Sequence, residues 1–283
     1  MNRIKILVTG AKGGLGHDVV KQLTALNINN IGADMGDFDI TDKSSVFRAV
    51  CDYRPTAVIH CAAYTNVDKA EDEPEICRLS NEAGTYNIAQ ACESIGARMM
   101  YISTDYVFGG DGNHFNKPHD KTAPLSVYGK TKLAGEKAVT ETLDDYFVVR
   151  TSWLFGHAGN NFVKTMLRLG KTHDEISVVS DQIGCPTYCP DIAALICAMI
   201  QSDKYGIYHA TNEGTCSWAE FAREIFIAAK MNVKINEILS EQYPAKATRP
   251  KNSRLCKESL DAAGFPRLPR WQDALGRYFC VAG

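Results

Sequence analysis

Ile4-Lys5-Ile6-Leu7-Val8-Thr9-Gly10-Ala11-Lys12-Gly13-Gly14-Leu15-Gly16 is the stretch that decides the fold. Ile4–Val8 is an apolar run of strand length, and Leu15–Leu26, behind the glycines, has the spacing of an amphipathic helix. Glycines at 10, 13 and 16 let the backbone turn sharply between the two and approach a pyrophosphate. The unpaired N–H groups and positive dipole end of the following helix, beginning at Leu15, suit such an anion. The spacing is GxxGxxG, not the GxGxxG of the standard dinucleotide fold, and a glycine turn by itself also fits a mere tight loop. Its place between the first strand and the first helix favours the phosphate reading.

The same rhythm continues outward from this turn. Ile28–Ala33, Ala57–His60, Arg98–Ile102 and Tyr146–Arg150 read as strands, and Asp42–Tyr53, Pro74–Ile95 and Val127–Thr142 as helices between them. Such alternation predicts an α/β protein with a Rossmann-type, doubly wound parallel sheet and right-handed crossovers. After Arg150 the rhythm breaks into short elements, with a Gly/Pro-rich stretch at Gly184–Pro190 and helices at Ser217–Lys230 and Trp271–Cys280. Pro244–Pro250 resembles a linker. Residues 1–150 are therefore expected to form a dinucleotide-binding domain. Residues 151–283 are expected to supply mostly a smaller substrate-binding lobe, with some segments returning to the first domain.

A chain of 283 residues buries a core without disulfides or structural metal. Its formal charge of −2 and lack of a long basic run exclude a surface built for nucleic acid or membrane. The ten cysteines include no CxxC and the seven histidines no HExxH, so no metal site is expected. Cys51, Cys61, Cys92, Cys197 and Cys280 stand among apolar neighbours, as reduced, buried thiols would. MNRIKILVTG does not read as a signal peptide, and the longest apolar run, Ile192–Ile200, is too short to span a bilayer. A soluble, cytoplasmic protein is expected, and a homo-oligomer is compatible with the sequence.

Asp34 ends the second predicted strand, 24 residues after Gly10, where a carboxylate can accept hydrogen bonds from the adenosine ribose. Met35-Gly36-Asp37-Phe38-Asp39 offers no cation for a 2′-phosphate, so the pattern leans toward NADH, although Lys12 in the glycine turn can serve NADPH. The alternative for Asp34 is a turn cap. Further along, Tyr128 and Lys132 are four residues apart at the start of a helix, on one face. An ammonium beside a phenol stabilises phenolate, lowering the phenol from about 10 and making it a usable proton donor to a ketone. One YxxxK in a chain with twelve tyrosines is weak by itself. It follows, however, a strand ending in Ser103-Thr104-Asp105-Tyr106, and ligands of open α/β sheets bind at strand carboxyl ends. There the Thr104 hydroxyl can bond the substrate carbonyl oxygen.

Taken in order, TGxxGxxG, Cys61-Ala62-Ala63-Tyr64-Thr65, Asn81 with Gly84-Thr85 and Asn87, STDYVF and YGKTK resemble the extended short-chain dehydrogenases. Val67-Asp68-Lys69-Ala70-Glu71, Tyr128–Glu136, Arg150-Thr151-Ser152-Trp153, Asn161-Phe162, Asp181–Thr187 and Arg249–Leu255 are similar to the dTDP-4-dehydrorhamnose reductase family, over nearly the whole chain. The resemblance implies reduction of dTDP-4-dehydro-L-rhamnose to dTDP-L-rhamnose with NADH or NADPH, for cell-surface polysaccharide biosynthesis. It implies Tyr128 as proton donor, Lys132 on the nicotinamide ribose and Thr104 completing the catalytic set. It further implies Gly10, Lys12, Gly13, Gly14, Leu15, Gly16, Asp34, Asp39, Ile40, Ala62, Ala63 and Tyr64 around the cofactor. Thr104, Asp105 and Trp153 would meet the sugar nucleotide. Gly14 departs from the family pattern by thickening the turn. Some relatives hold a metal between subunits, but the sequence offers no carboxylate cluster to carry that over.

Two rivals share the fold. One is a sugar-nucleotide dehydratase or epimerase; similar dehydratases carry tandem acids after the threonine, whereas Asp105 is followed by Tyr106, which leaves elimination without its base. The other is a non-catalytic subunit like the regulatory subunit of methionine adenosyltransferase; retention of Thr104, Tyr128 and Lys132 gives it no support from the sequence. On the substrate side Asn161, Gln182, Thr187, Arg249 and Arg254 are the polar candidates for a nucleotide clamp.

Overall fold

The computed structural model describes residues 4–281. Strand β1 (Lys5–Thr9) leads through the glycine turn into α1 (Gly14–Ala25), then β2 (Asn29–Ala33), α2 (Lys43–Tyr53) and β3 (Ala57–His60). Helices α3 (Val67–Asp72), α4 (Pro74–Arg78) and α5 (Thr85–Ile95) precede β4 (Arg98–Thr104), α6 (Val127–Thr142) and β5 (Tyr146–Thr151). The later half holds β6 (Leu154–Phe155), α7 (Phe162–Gly170), β7 (Glu175–Val179), β8 (Ile183–Gly184), β9 (Thr187–Tyr188) and α8 (Cys189–Met199). It ends with β10 (Gly206–His209), β11 (Cys216–Ser217), α9 (Trp218–Ala228), β12 (Lys234–Ile238), α10 (Glu258–Ala262) and α11 (Trp271–Val281).

Six strands form one sheet in the order β10-β5-β4-β3-β1-β2, and every pairing in it is parallel. The chain runs outward from β1 to β2 and then crosses back to β3 on the other side of β1. That reversal opens a crevice at the carboxyl ends of β1 and β3, the place where such sheets bind ligands. Successive side chains of β1 serve both faces. Ile6 and Val8 join a core with Leu15, Val19 and Leu23 of α1 and Ile192 and Ile196 of α8. Leu7 joins another with Val46 and Val50 of α2, Ile88 of α5 and Val139 of α6. A third core gathers α7, α9 and α11 around Phe155, Phe221, Phe226 and Trp271. Of the later segments, α8 and β10 lie with the six-stranded sheet.

Several elements differ from the sequence expectation. The helix expected over Pro74–Ile95 is interrupted by a π turn at Leu79–Gly84, which carries Asn81 inward until it is fully buried. Asn81 then accepts the Tyr64 N–H at 2.8 Å and donates to the Tyr64 carbonyl at 3.1 Å, fixing the chain after β3. A single extra residue in a helical turn often serves such a local demand. Helix α3, which the sequence reading left out, starts where the Asn66 side chain accepts the Lys69 N–H. Strand β4 runs two residues beyond Ile102, so Ser103 and Thr104 belong to the sheet. Helix α9 begins at Trp218 because Ser217 and Glu220 form a reciprocal capping box. Cys51 and Cys280, expected among apolar neighbours, are exposed on their helices, and Cys61 is half-buried; all ten thiols are free. No described helix is long and apolar enough to cross a membrane.

Candidate active site

Gly10 has φ +69°, and a Cβ there would lie 2.6 Å from the Ala62 nitrogen, so only glycine lets the turn close against the chain leaving β3. Gly13 stands before α1 in extended conformation with no side-chain cap, and the first turn of α1 carries no acid. The helix therefore presents its orphan N–H groups and positive end without an internal partner, which fits a pyrophosphate. Gly14 has a different reason to be glycine. A Cβ on it would lie 3.3 Å from the Ala158 carbonyl, because the loop at 156–160 from the later half closes over the turn there. Asn161 and Lys164 hold that loop, donating to the carbonyls of Gly156 (2.8 Å), His157 (2.6 Å) and Gly159 (2.7 Å).

A cofactor test follows from Gly13. Its φ of −73° suits any residue, and a Cβ would meet only the Gly10 carbonyl at 3.2 Å. Gly13→Val is thus expected to fold, with its branched side chain standing where a pyrophosphate on the α1 terminus would approach. Calorimetry should show NADH binding weakened about tenfold or more, or ~1.4 kcal/mol; an unchanged Kd with an unchanged melting curve removes the phosphate assignment.

Asp34 lies beside the turn. Its Oδ2 accepts the Lys12 N–H at 2.9 Å and its Oδ1 the Met35 N–H at 3.0 Å, so the carboxylate does brace a turn while lining the crevice. The Lys12 ammonium reaches over the same turn, 4.0 Å from where Gly36 would carry a Cβ. Asp39 accepts both the N–H and the hydroxyl of Thr41 at 2.8 Å, and the Ile40 carbonyl accepts from Asn87 at 3.0 Å. These bonds shape one wall of a cavity of about 960 Å³. The residues expected around the cofactor and the reacting group line it: Gly10, Lys12, Gly13, Gly14, Leu15, Gly16, Asp34, Asp39, Ile40, Ala62, Ala63, Tyr64, Thr104, Asp105, Tyr128, Lys132 and Trp153.

Thr104 closes β4 and is 5 % exposed; its hydroxyl donates to Asp105 Oδ1 at 3.1 Å and accepts the Tyr106 N–H at 3.3 Å. Burial raises the Asp105 carboxyl to about 6, against bonds from Ser253 and Thr104, and its Oδ2 has no partner. Tyr128 sits in the first turn of α6, which Ser126 caps through the Gly129 N–H, while Glu71 of α3 accepts the Val127 N–H. The Tyr106 ring meets the Tyr128 ring edge-on at 5.4 Å. The Tyr128 phenol, expected to be lowered by Lys132, is instead raised above its usual range by burial, with the Thr104 hydroxyl acting in the opposite direction. The reason is geometric: Lys132 Nζ is tied to the Ile102 carbonyl at 2.6 Å and lies over the Tyr101 ring at 4.0 Å. Burial also lowers Lys132 to about 7, with Glu136 resisting that change.

On the far side of the cavity Trp153 adopts φ +49° and stacks on Trp218 with centroids 3.5 Å apart. Trp218 also lines the cavity, and the sequence reading passed over it. Of the polar clamp candidates, Asn161 reaches the lining. Gln182 donates to Ser240, and the Thr187 hydroxyl turns to the Cys185 carbonyl. Arg249 donates to both oxygens of Asp68 at 3.0 and 2.6 Å, and Arg254 donates to Asn252. The two arginines are engaged within the protein, outside the cavity lining.

Hydride delivery to a carbonyl requires a dinucleotide and a proton donor within one crevice, and this crevice has that form. The class so defined is the nicotinamide-dependent oxidoreductases of the Rossmann type. The chain belongs to the RmlD substrate binding domain family, whose model matches residues 4–281. It is 40 % identical over 274 residues to the spore coat polysaccharide biosynthesis protein SpsK of Bacillus subtilis, covering 97 % of this chain and 96 % of that one. It is 39 % identical to a dTDP-4-dehydrorhamnose reductase of Streptomyces griseus, covering 98 % and 93 %. The crystal structure of dTDP-4-dehydrorhamnose reductase from Bacillus anthracis in complex with NADP superposes with a TM-score of 0.96 at 44 % identity, covering 99 % of both chains. A UDP-glucose 4-epimerase from Thermus thermophilus shares the fold, with a TM-score of 0.83 at 20 % identity.

Proposed function

We infer that this protein reduces the 4-keto group of dTDP-4-dehydro-L-rhamnose to give dTDP-L-rhamnose, using NAD(P)H, as a cytoplasmic step toward cell-surface polysaccharide. The observation that carries the reading is the shared cavity: the uncapped start of α1 at one end, Thr104, Tyr128 and Lys132 in the middle, and the Trp153–Trp218 stack beyond. The likeness to named reductases over nearly the full chain supports the choice of substrate. Residues 1–150, joined by α8 and β10, hold the cofactor in this reading, and most of 151–283 holds the sugar nucleotide.

When bound, the nicotinamide supplies the hydride. The protein's part is to hold the ketone and provide the proton. Thr104 donates its hydroxyl proton to the 4-oxygen in place of Asp105, fixing that oxygen next to Tyr128. Tyr128 then gives up its phenolic proton as negative charge gathers on the oxygen. Lys132 supplies a cation to the cofactor ribose and to the phenolate left behind. Asp105, adjacent to Thr104 with a free oxygen, accepts a neighbouring sugar hydroxyl.

Asp34 favours NADH, through the ribose hydroxyls and by repelling a 2′-phosphate, while Lys12 leaves NADPH usable. A coupled assay that supplies dTDP-4-dehydro-L-rhamnose and follows absorbance at the reduced nicotinamide band tests the reading; no oxidation of either cofactor ends it. In the same assay Asp34→Arg is expected to raise the NADPH/NADH ratio of kcat/KM by about tenfold or more, because a like charge becomes an opposite one. A ratio that stays put places Asp34 away from the ribose.

A further inference from the structure

We propose that Glu136, gripped by Arg150 and Ser103 beneath the cavity, is a positioning residue that holds Lys132 in place as a cation. Glu136 lies one helical turn beyond Lys132 on α6, so the two side chains share a face. Both are almost completely enclosed, at 3 % and 2 % exposed. The Glu136 carboxylate accepts the Ser103 hydroxyl at 2.5 Å and two guanidinium bonds from Arg150, at 2.8 and 2.7 Å. Ser103 and Arg150 are register partners on β4 and β5. Glu136 therefore clasps two adjacent strand ends one residue below Thr104 and Thr151. Lys132 bonds the carbonyl of Ile102, the residue before Ser103. Ile102, Ser103 and Thr104, consecutive on β4, thus bond Lys132, bond Glu136 and present the threonine hydroxyl to the cavity, which sets α6 in register with the strand that carries Thr104.

A buried ion pair is a poor way merely to hold a helix, because apolar side chains of the same volume often do so at least as well. What they cannot supply is a negative charge one turn from Lys132. The groups facing Lys132 come from every neighbouring element: His60 at the end of β3 and Cys61 after it, Cys77 of α4, the Tyr101 ring of β4, and Tyr128 and Glu136 on its own helix. Burial keeps His60 neutral, holding it near 3, and keeps Cys61 a thiol, near 12. Burial likewise raises Cys77, Tyr101 and Tyr128. Glu136 is the anion of this set. Arg150, which pairs with Glu136, also donates to the Pro118 carbonyl at 2.8 Å and faces the Phe108 ring.

The inference rests on the proposed role of Lys132, and its test separates the two. Protein labelled with [ε-13C]lysine reports the Lys132 titration without substrate, with the resonance assigned by its loss in Lys132→Met. Glu136→Gln removes the charge and keeps the shape. The Lys132 titration is expected to move to lower pH by about one unit or more, as removal of a neighbouring opposite charge requires. The alkaline limb of kcat/KM should move down with it, because the ammonium is then lost earlier as pH rises. A Lys132 titration in Glu136→Gln that coincides with wild type overturns the proposal and leaves Glu136 a packing residue. If the lone Arg150 cation unfolds that variant, Glu136→Gln/Arg150→Met removes it, and the same displacement is required there. A Lys132 titration that moves in an enzyme inactive on the dTDP-linked ketone upholds the electrostatic role and rejects the assigned substrate.

Discussion

Tyr128→Phe is expected to lower kcat/KM for ketone reduction by about 10²–10⁴-fold, the usual range for loss of a positioned general acid, with dinucleotide affinity unchanged. The ring is half-buried in the first turn of α6 and braced edge-on by Tyr106, so phenylalanine keeps the packing and loses the proton alone. Burial holds the phenol above its usual range, which keeps the proton on the oxygen at neutral pH until charge builds on the substrate. The cost of that arrangement is a poorly stabilised phenolate, and Lys132 is the cation placed four residues away to meet it. Lys132→Met should consequently lose at least as much, and should weaken cofactor binding too. Steady-state kinetics with calorimetry on the same preparation decides the matter. A Tyr128→Phe enzyme within about threefold of wild type, far above the 10²-fold floor, has some other proton donor.

The parts of this site that were legible in the sequence are those whose geometry is set within a few residues. Gly10 to Gly16, with the strand before and the helix behind, mark a tight strand-to-helix turn, and Tyr128 and Lys132 share a helical face wherever that helix lies. The parts that were hidden depend on contacts between distant segments. Lys132 meets Ile102 and not the phenol because β4 and α6 cross at a particular register, which no spacing rule contains. Arg249 was open as a phosphate ligand until Asp68, 181 residues earlier, was found against it. Gly14 looked superfluous in the turn and is explained by a loop that returns from residue 158. Trp218 had a local signal, the Ser217/Glu220 capping box that starts α9, but its stacking partner lies 65 positions back, at Trp153. The π turn at Asn81 left no mark in the hydrophobic period, since one extra residue is absorbed within a single turn.

Removing the nucleotide from the keto-sugar is expected to reduce kcat/KM by about 10²-fold or more, since binding energy from the remote part of a substrate is used to position the reacting part. The glycine turn is committed to the cofactor in this reading, so the dTDP moiety has to be held elsewhere. The cavity offers one large flat surface away from that turn, the indole of Trp153 backed by Trp218. Trp153 is kept at φ +49°, an unfavourable backbone state for a side chain of this size, costing about 1–3 kcal/mol. Its surroundings hold it there: Trp218 lies nearly parallel behind it at 11°, Phe162 supports Trp218 at 4.5 Å, and the indole rests on Gly184. Strain maintained by such packing on a cavity wall points to a surface whose exact placement matters to a ligand. Trp153→Ala should therefore raise KM for the dTDP-linked ketone by about tenfold, a normal cost for losing a buried aromatic contact. Its effect on the unlinked ketone should be slight, so the ratio between the two substrates narrows. Trp218→Ala should move the ratio the same way by less, because it loosens Trp153 without removing it. If wild-type enzyme turns over linked and unlinked ketones with equal kcat/KM, the stack holds no nucleotide and the protein is a general carbonyl reductase.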